Sequence, residues 1–402
     1  MGAYSEFCIP NSVFYGKNSL SELGEQVKAY GKKVLLISDR IIEKIGHVKT
    51  CQDILKEVDV SYISYLDVNT EPTDLHVDEA LQLCLKEQCD VIVAIGGGSC
   101  IDAAKAVAVL TTNGGYIGNY IGNRTSIEKN PIPLIAIPTT AGTGSEVTNA
   151  TVITNTKEDI KMMIKHPAFL PKVAIVDPML TTSTPPNVTA ATGVDALCHA
   201  IEAYISRLSQ PLTDTLALSA IEAILNNIKV VYEEGENTDA RQKMAIASMQ
   251  AGIAFSNASV TLIHGMSRPI GALFHVPHGI SNAMLLPGVL EFTKESAIDK
   301  LATIGRMISP ESTTLTDTEL ANITINKIKQ LCRDLNIPNM KTWGIDEQKF
   351  GQVLDKMATD AIASGSPANN PKVPTKQEII DLYNYCYDYD FSGNITEFNS
   401  VK

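Results

Sequence analysis

The chain has 402 residues, of which 44% are hydrophobic and 19% charged, and its formal net charge is −12. This length predicts two domains with separate cores, and this composition is that of a globular protein. The acidic balance argues against nucleic acid or an anionic membrane as a partner, and no apolar run is long enough to cross a bilayer. The eight cysteines form no CxxC pair and the N-terminus lacks a secretory pattern, so we expect a cytoplasmic protein with reduced thiols.

Four short aliphatic runs in the first half of the chain are typical of buried strands. They alternate with amphipathic helical segments, which indicates a mostly parallel sheet with helices on both faces. The runs are KKVLLISD (32–39), DVIVAIGGGS (90–99), IPLIAIPTT (132–140) and KVAIVDP (172–178). From about residue 188 onward the patterns are helical. The sequence therefore predicts an α/β N-terminal domain (1–183) and an all-α C-terminal domain (184–402).

Two glycine-rich loops that follow predicted strands indicate a nucleotide site. Gly96, Gly97, Gly98 and Ser99 precede a helix, so the backbone can approach a ligand closely and the helix N-terminus can bind phosphate. The spacing is not GxGxxG. The second loop, PTTAGTGSE (138–146), offers several hydroxyl groups. Asp39 has two interpretations: it accepts hydrogen bonds from the ribose of NAD, which would disfavour NADP, or it caps the next helix.

The segment GVDALCHAIEAY contains the first two residues of a predicted metal site. Asp195 and His199 are four residues apart, so on a helix they share a face and can bind one cation. Glu202, one turn further, is expected to orient His199. His264 and His278, from HGMSRPIGALFHVPHG, complete a set of one carboxylate and three imidazoles that suits Fe(II) or Zn(II).

Four motifs in this order resemble those of the iron-containing (group III) alcohol dehydrogenases, and the resemblance extends over nearly the whole chain. The motifs are GGGSCIDAAK, PTTAGTGSEVT, GVDALCHAIEAY and HGMSRPIGALFHVPHG. The resemblance implies the architecture shared with dehydroquinate synthase, in which an α/β dinucleotide-binding domain precedes a helical metal-binding domain. It also implies NAD(H) as cofactor, one divalent metal ion (Fe2+ before Zn2+) and a homo-oligomer of two or more subunits. The implied metal ligands are Asp195, His199, His264 and His278.

The same resemblance implies which residues contact the cofactor. Asp39 matches the family's ribose-binding acid. The residues expected near the pyrophosphate are Gly97, Gly98, Ser99 and Asp102. Those expected on the nicotinamide side are Thr139, Thr140, Thr143 and Ser145, with Thr148 and Lys161 as further contacts.

One residue departs from the family pattern HxMxHPxG, because Arg268 replaces its second histidine. That histidine is the expected proton relay, and a guanidinium cannot accept a proton. Proton exchange could instead use water, the cofactor ribose or His275. Arg268 itself has three interpretations: it binds an anionic group of the substrate, it pairs with a carboxylate on a neighbouring helix and faces away from the site, or it stabilises the alkoxide electrostatically.

These observations predict reduction of a small aldehyde with NADH, the aldehyde bearing a carboxylate, sulfonate or phosphonate, as in sulfoacetaldehyde. One alternative is a dehydrogenase for a neutral short-chain alcohol or diol, of the 1,3-propanediol, butanol or glycerol type. An alternative from another class is a cyclase like dehydroquinate synthase, which also binds NAD and a metal. NADH oxidation with a simple aldehyde separates the cyclase from the dehydrogenases.

Overall fold

The computed structural model describes residues 4–158 and 160–393. Contacts within the chain define two compact units. One consists of residues 6–185 together with 235–256 and is α/β. The other consists of residues 186–234 and 257–393 with the two described residues before Glu6, and it is helical. The predicted fold class is confirmed.

A parallel sheet forms the core of the α/β unit, with the spatial order β1-β8-β5-β4-β2-β3 in the described part of the chain. Its strands are β1 Ser12–Tyr15, β2 Lys33–Ile37, β3 Ser61–Tyr65, β4 Val91–Gly96, β5 Leu134–Pro138 and β8 Val173–Val176. A separate antiparallel hairpin consists of β6 Ala150–Asn155 and β7 Ile160–Lys165. β4 and β5 are buried along their whole length, as expected for central strands covered on both faces.

Helices cover this sheet, and one of them begins directly after β4. They are α1 Leu23–Tyr30, α2 Arg40–Lys44, α3 His47–Glu57, α4 Asp74–Glu87 and α5 Gly98–Asn113, and the same unit also contains α8 Thr238–Asn257. The turn from β4 into α5 requires glycine, because Gly96 has φ 154° and a Cβ there would lie 2.6 Å from Cys100 Sγ. Since β2, β4 and β5 run parallel, Asp39 and the two glycine-rich loops follow strands at the same edge of the sheet.

In the helical unit, glycine residues let two of the helices pack closely on neighbouring segments. Its helices are α6 Pro186–Ile205, α7 Pro211–Glu233, α9 Leu262–Phe274, α10 His278–Thr293, α11 Ile298–Ile308, α12 Asp317–Asp334, α13 Met340–Trp343, α14 Glu347–Ala363 and α15 Lys376–Tyr387. At Gly279 a Cβ would lie 2.3 Å from the Ala191 carbonyl oxygen, so only glycine lets α10 pack this closely on α6. Gly265 on α9 packs in the same way on Pro367.

Helix α8 departs from the linear division predicted at residues 183 and 184. It belongs to the α/β unit, although it lies far beyond that boundary in the chain. Its Ser256 hydroxyl accepts a hydrogen bond from the backbone N–H of Asn149 at 3.2 Å, and Arg241 donates to the carbonyl oxygen of Thr184 at 3.2 Å. The helical periodicity predicts that α8 forms but not which core it joins.

Among the described residues, no single helix combines the length and apolar content needed to span a membrane. One bent pair, Thr238–Asn257 followed by Leu262–Phe274, meets those criteria only by joint length and composition.

The contact between α8 and the second glycine-rich loop is a test of this packing. A Cβ on Gly252 would lie 2.8 Å from Gly144 Cα, so we expect Gly252→Ala to lower the free energy of unfolding by ~1–3 kcal/mol through overpacking. Gly351→Ala is the control: this helical glycine has open space around it, and we expect stabilisation of ~0.5–1 kcal/mol. Thermal unfolding measures both. Equal stability of Gly252→Ala and wild type would contradict the close approach.

Candidate functional site

Four metal-ligating side chains of the helical unit converge on one place. Their ligand atoms all lie within 4.8 Å of one another. α6 supplies two of them one turn apart, α9 supplies the third, and the fourth is the first residue of α10. They are Asp195, His199, His264 and His278. Four atoms about 2 Å from one ion lie roughly 3.4–4.2 Å apart, so the set fits a single metal ion after small movements.

The charges of this cluster keep Asp195 ionised as a metal ligand must be. Burial alone would raise its pKa, but His199, His278 and His264 outweigh burial and hold the pKa of Asp195 well below its usual range. For His264, burial would lower the pKa, but Glu202 and Asp195 together raise it to about 9. The buried carboxylate therefore stays negative and attracts a cation.

Glu202 on α6 is fully buried and holds His264, whereas the sequence led us to expect His199. Its Oε1 accepts hydrogen bonds from the backbone N–H of Thr261 and of Ile263, both at 2.9 Å, and from the Thr261 hydroxyl at 3.0 Å. Its Oε2 contacts Nδ1 of His264. With Nδ1 bound to this carboxylate, Nε2 is the nitrogen of His264 that can bind a metal.

Asn282 is a site residue that sequence reasoning missed. Its amide Nδ2 lies 2.7 Å from Oδ1 of Asp195, 3.1 Å from Nε2 of His264 and 3.3 Å from Nε2 of His278. One signal could have found it, since Asn282 follows His278 by four residues on the same helix. The shared contact shows that these three ligand atoms face one point, which is the arrangement that a metal site requires.

Arg268 and His275, the residues predicted to act on the substrate or its proton, have different surroundings. Arg268 is partly buried on α9, one turn after His264. Burial lowers the pKa of its guanidinium and the Glu202 carboxylate opposes that shift, so Arg268 interacts electrostatically with the group that holds His264. His275 is exposed and follows α9 in a left-handed conformation with φ 55°. Both roles toward the substrate stay predictions.

In the α/β unit, the two glycine-rich loops lie against each other. A Cβ on Gly98 would come within 2.9 Å of the Thr143 side chain, and one on Gly97 would lie 4.0 Å from Thr140 Oγ1. Backbone atoms also join them, because the N–H of Thr139 donates to the carbonyl oxygen of Gly96 at 3.0 Å. Since Gly97 immediately precedes α5, the loops meet where a helix N-terminus offers N–H groups to phosphate.

Asp39 caps the helix that follows it, which is one of the two functions that the sequence suggested, and its contact with a ribose stays a prediction. Its Oδ1 accepts hydrogen bonds from the backbone N–H groups of Ile41 at 2.8 Å and Ile42 at 2.9 Å, so it caps α2. Its Oδ2 lies 3.6 Å from Cys100 Sγ, beside the first glycine-rich loop. The capping oxygen and the oxygen nearest the loop are therefore different atoms.

Three residues that were predicted to contact the cofactor belong to a polar network inside the α/β unit. Asp102 accepts hydrogen bonds from the Ser145 hydroxyl at 2.6 Å and from the backbone N–H of Val152 at 2.9 Å. The buried amine of Lys105 donates to the Thr148 hydroxyl at 2.9 Å. These bonds join α5 to the second loop and to β6. Contact of Asp102, Ser145 or Thr148 with a cofactor stays a prediction.

Lys161, also predicted to contact the cofactor, lies on β7. Its amine forms an ion pair with Glu71 at 2.6 Å. Its contact with a cofactor likewise stays a prediction.

Family models match both units. Residues 10–178 match the iron-containing alcohol dehydrogenase model, and residues 189–387 match the C-terminal model of the Fe-containing alcohol dehydrogenase family. The chain therefore belongs to the iron-containing alcohol dehydrogenase family, whose members use NAD(H) and an iron ion, and it is an oxidoreductase that acts on CH–OH groups. The predicted family and enzyme class are confirmed, and the cyclase alternative is set aside.

Individual relatives cover almost the whole chain. The 1,3-propanediol dehydrogenase of Citrobacter freundii is 36% identical over 386 residues, which are 95% of this chain and 98% of that protein. A crystal structure of 1,3-propanediol oxidoreductase superposes with a TM-score of 0.92 at 36% identity, covering 96% of this chain and all of the other. The sulfoacetaldehyde reductase of Bifidobacterium kashiwanohense, solved with NAD+, gives a TM-score of 0.86 at 28% identity over 97% of this chain and 100% of that chain.

The contact of Glu202 with His264 predicts an effect on metal affinity. Glu202→Gln keeps the volume but removes the negative charge that orients Nδ1, so we expect metal affinity to fall ~10–100-fold. A competition titration against a chromophoric chelator measures the change. Ser281→Ala, which removes a buried hydroxyl bonded to the His278 carbonyl oxygen, serves as the control. Unchanged affinity in Glu202→Gln would show that the carboxylate does not orient the ligand.

Glu146, buried in the second loop, predicts a dependence of stability on pH. Burial raises its pKa from 4.5 to about 7, although its own backbone N–H and Lys105 oppose the shift. The folded state therefore holds this proton more tightly than the unfolded state, and stability falls as pH rises from about 4.5 to about 7. We expect the stability of Glu146→Gln not to decline in this way. A shift of one pKa unit corresponds to ~1.4 kcal/mol, so the decline in the wild type amounts to a few kcal/mol. Denaturant unfolding of both proteins across this range measures it, and parallel pH profiles would contradict it.

Proposed function

We propose that the protein interconverts a small aldehyde and its alcohol with NAD(H), and that the aldehyde carries a carboxylate, sulfonate or phosphonate group. Family membership gives the reaction class, while the substrate class and the residue roles are the proposal. The observation that supports it most directly is the convergence of one ionised carboxylate and three imidazoles in the helical unit. This donor set is of the kind that binds Fe(II) or Zn(II).

The four converging residues would hold the metal, with Fe2+ preferred to Zn2+: Asp195, His199, His264 and His278. When bound, such an ion supplies Lewis-acid polarisation of the substrate oxygen, and the nicotinamide supplies or accepts a hydride. Glu202 fixes the orientation of the His264 ring. The protein is not required to form a covalent bond with the substrate, because orientation and charge stabilisation suffice for hydride transfer.

The cofactor would bind at the loops that follow β2, β4 and β5. The N-terminus of α5 would bind the pyrophosphate through backbone N–H groups. Asp39 would accept hydrogen bonds from the ribose and repel a 2′-phosphate, which favours NAD over NADP. The residues assigned to the pyrophosphate are Gly97, Gly98 and Ser99, and those assigned to the nicotinamide side are Thr139, Thr140 and Thr143.

Arg268 supports the anionic substrate. It lies one turn after His264 on α9, and a guanidinium binds carboxylate, sulfonate or phosphonate oxygens through paired N–H groups. Its partial burial strengthens such an interaction by excluding water. The likeness to a sulfoacetaldehyde reductase also favours this substrate class. In this arrangement Arg268 cannot relay a proton, so we assign the exchange of the alcohol proton with solvent to the exposed imidazole of His275.

A neutral short-chain alcohol or diol is the second candidate. It is favoured by the higher identity of the 1,3-propanediol dehydrogenase relative. In this case Arg268 would act only through its electrostatic interaction with Glu202.

A panel of neutral and anionic C2–C4 aldehydes, assayed with NADH and NADPH, tests the proposal. We expect NADH oxidation to be fastest with an anionic aldehyde, to be lost after exhaustive chelation, and to return when Fe(II) is added without oxygen. Full activity of the chelated protein would contradict the metal assignment. A clear preference for propionaldehyde or 3-hydroxypropionaldehyde would favour the second candidate.

Arg268→Gln separates the two substrate classes. Loss of the paired N–H donors removes one charge-assisted contact, so we expect KM for an anionic aldehyde to rise ~10–100-fold, equivalent to ~1.5–3 kcal/mol. The KM for a neutral aldehyde of equal size should change little. Arg306→Gln, which removes an exposed arginine paired with Asp317, is the matched control. Equal changes for both aldehydes in Arg268→Gln would rule out anion binding by this residue.

A further inference from the structure

The side-chain amide of Asn282 lies among the donor atoms of the metal site. Asn282 is completely buried on α10. Its Nδ2 is within 3.3 Å of ligand atoms from three different helices, belonging to Asp195, His264 and His278. One amide group therefore lies against atoms of three ligand residues. No other group named at this site contacts so many of the ligand atoms.

The other end of the same amide is unsatisfied. Oδ1 of Asn282 is buried and has no hydrogen-bond partner within the described ranges, 4–158 and 160–393. A buried carbonyl oxygen without a partner costs free energy, so such an atom is rare in native proteins unless a water or an ion satisfies it. The amide thus combines an oxygen that lacks a donor with a nitrogen that faces the carboxylate of Asp195 and two imidazole nitrogens.

When a cation is bound at this cluster, contact with the oxygen of the Asn282 amide becomes favourable and contact with its NH2 group becomes unfavourable. The NH2 end carries positive partial charge and has no lone pair for a metal, whereas the carbonyl oxygen is a metal ligand. Rotation of the side-chain amide by half a turn exchanges the two atoms without moving the helix. After this rotation Oδ1 would leave the place where it has no hydrogen-bond donor, and it would face the cation.

We propose that Asn282 is a fifth ligand residue of the metal site, binding the cation through its amide oxygen, and that it selects Fe(II) over Zn(II). The inference rests on the proposed metal site. Zn(II) is satisfied by the four ligands Asp195, His199, His264 and His278, because it prefers tetrahedral coordination. Fe(II) takes more ligands, so a fifth donor benefits iron more than zinc.

Cobalt(II) provides a direct readout, because its visible absorption is intense in four-coordinate sites and weak when five or six ligands bind. The experiment adds Co(II) to the metal-free full-length protein and to three variants, without substrate or NADH. Asn282→Leu removes both polar atoms and keeps the branched shape of the side chain. Asn282→Asp keeps the shape and an oxygen ligand but removes the NH2 group. Ser281→Ala, one residue earlier on α10, is the matched control.

The proposal expects weak absorption in wild type, Asn282→Asp and Ser281→Ala, and intense four-coordinate absorption in Asn282→Leu. It also expects the preference for Fe(II) over Zn(II), measured by chelator competition, to fall about 10-fold in Asn282→Leu, as for other groups that support a metal site. Retention of metal affinity in Asn282→Asp supports the oxygen as ligand, because a residue that only donated its N–H to Asp195 could not be replaced by a second carboxylate.

Three results would overturn the proposal in distinguishable ways. Identical spectra and metal preference in wild type and Asn282→Leu would show that Asn282 is not a ligand while the four-residue site stands. Failure of the folded wild-type protein to bind Co(II) would refute the metal site itself, and the inference with it. Loss of binding in Asn282→Asp alone would assign Asn282 the role of a hydrogen-bond donor to Asp195 and contradict ligation through oxygen.

Discussion

The burial of an ionised carboxylate among three imidazoles is the constraint on which the helical unit depends. An isolated buried carboxylate is costly, and in this protein the surrounding histidines compensate its charge. The compensation requires that α6, α9 and α10 approach within side-chain reach of one another. Gly279 permits the approach of α10 to α6, because a larger residue would collide with the carbonyl oxygen of Ala191. The site can therefore form only if these helices pack closely.

Charge compensation is also needed at the polar groups that surround the four ligand residues. Glu202 is buried and could not remain ionised without partners, and it obtains them from backbone N–H groups at the start of α9 and from the ring of His264. The same carboxylate interacts electrostatically with Arg268. A residue that departs from the family pattern is thus coupled to a metal ligand through one intermediate group.

The sequence predicts the parts of this protein that local patterns determine. Central strands such as β4 are continuous apolar runs that end in glycine, and Asp195 with His199 shows helical spacing, so both are visible in the chain. The edge strand β1 has only four residues and is not fully buried, which leaves no comparable pattern. The unit that α8 joins, the contact of Glu202 with His264 and the position of Asn282 all depend on packing between segments distant in the chain. Spacing within one helix carries no information about them.

The central claim is that one metal ion is held by these four residues. Anomalous X-ray diffraction from crystals of the protein grown anaerobically with Fe(II), recorded on both sides of the iron absorption edge, tests it most directly. We expect one strong iron peak in each chain, surrounded by Asp195, His199, His264 and His278. A crystal with iron at another place, or with no iron peak among these side chains at saturating Fe(II), would contradict it.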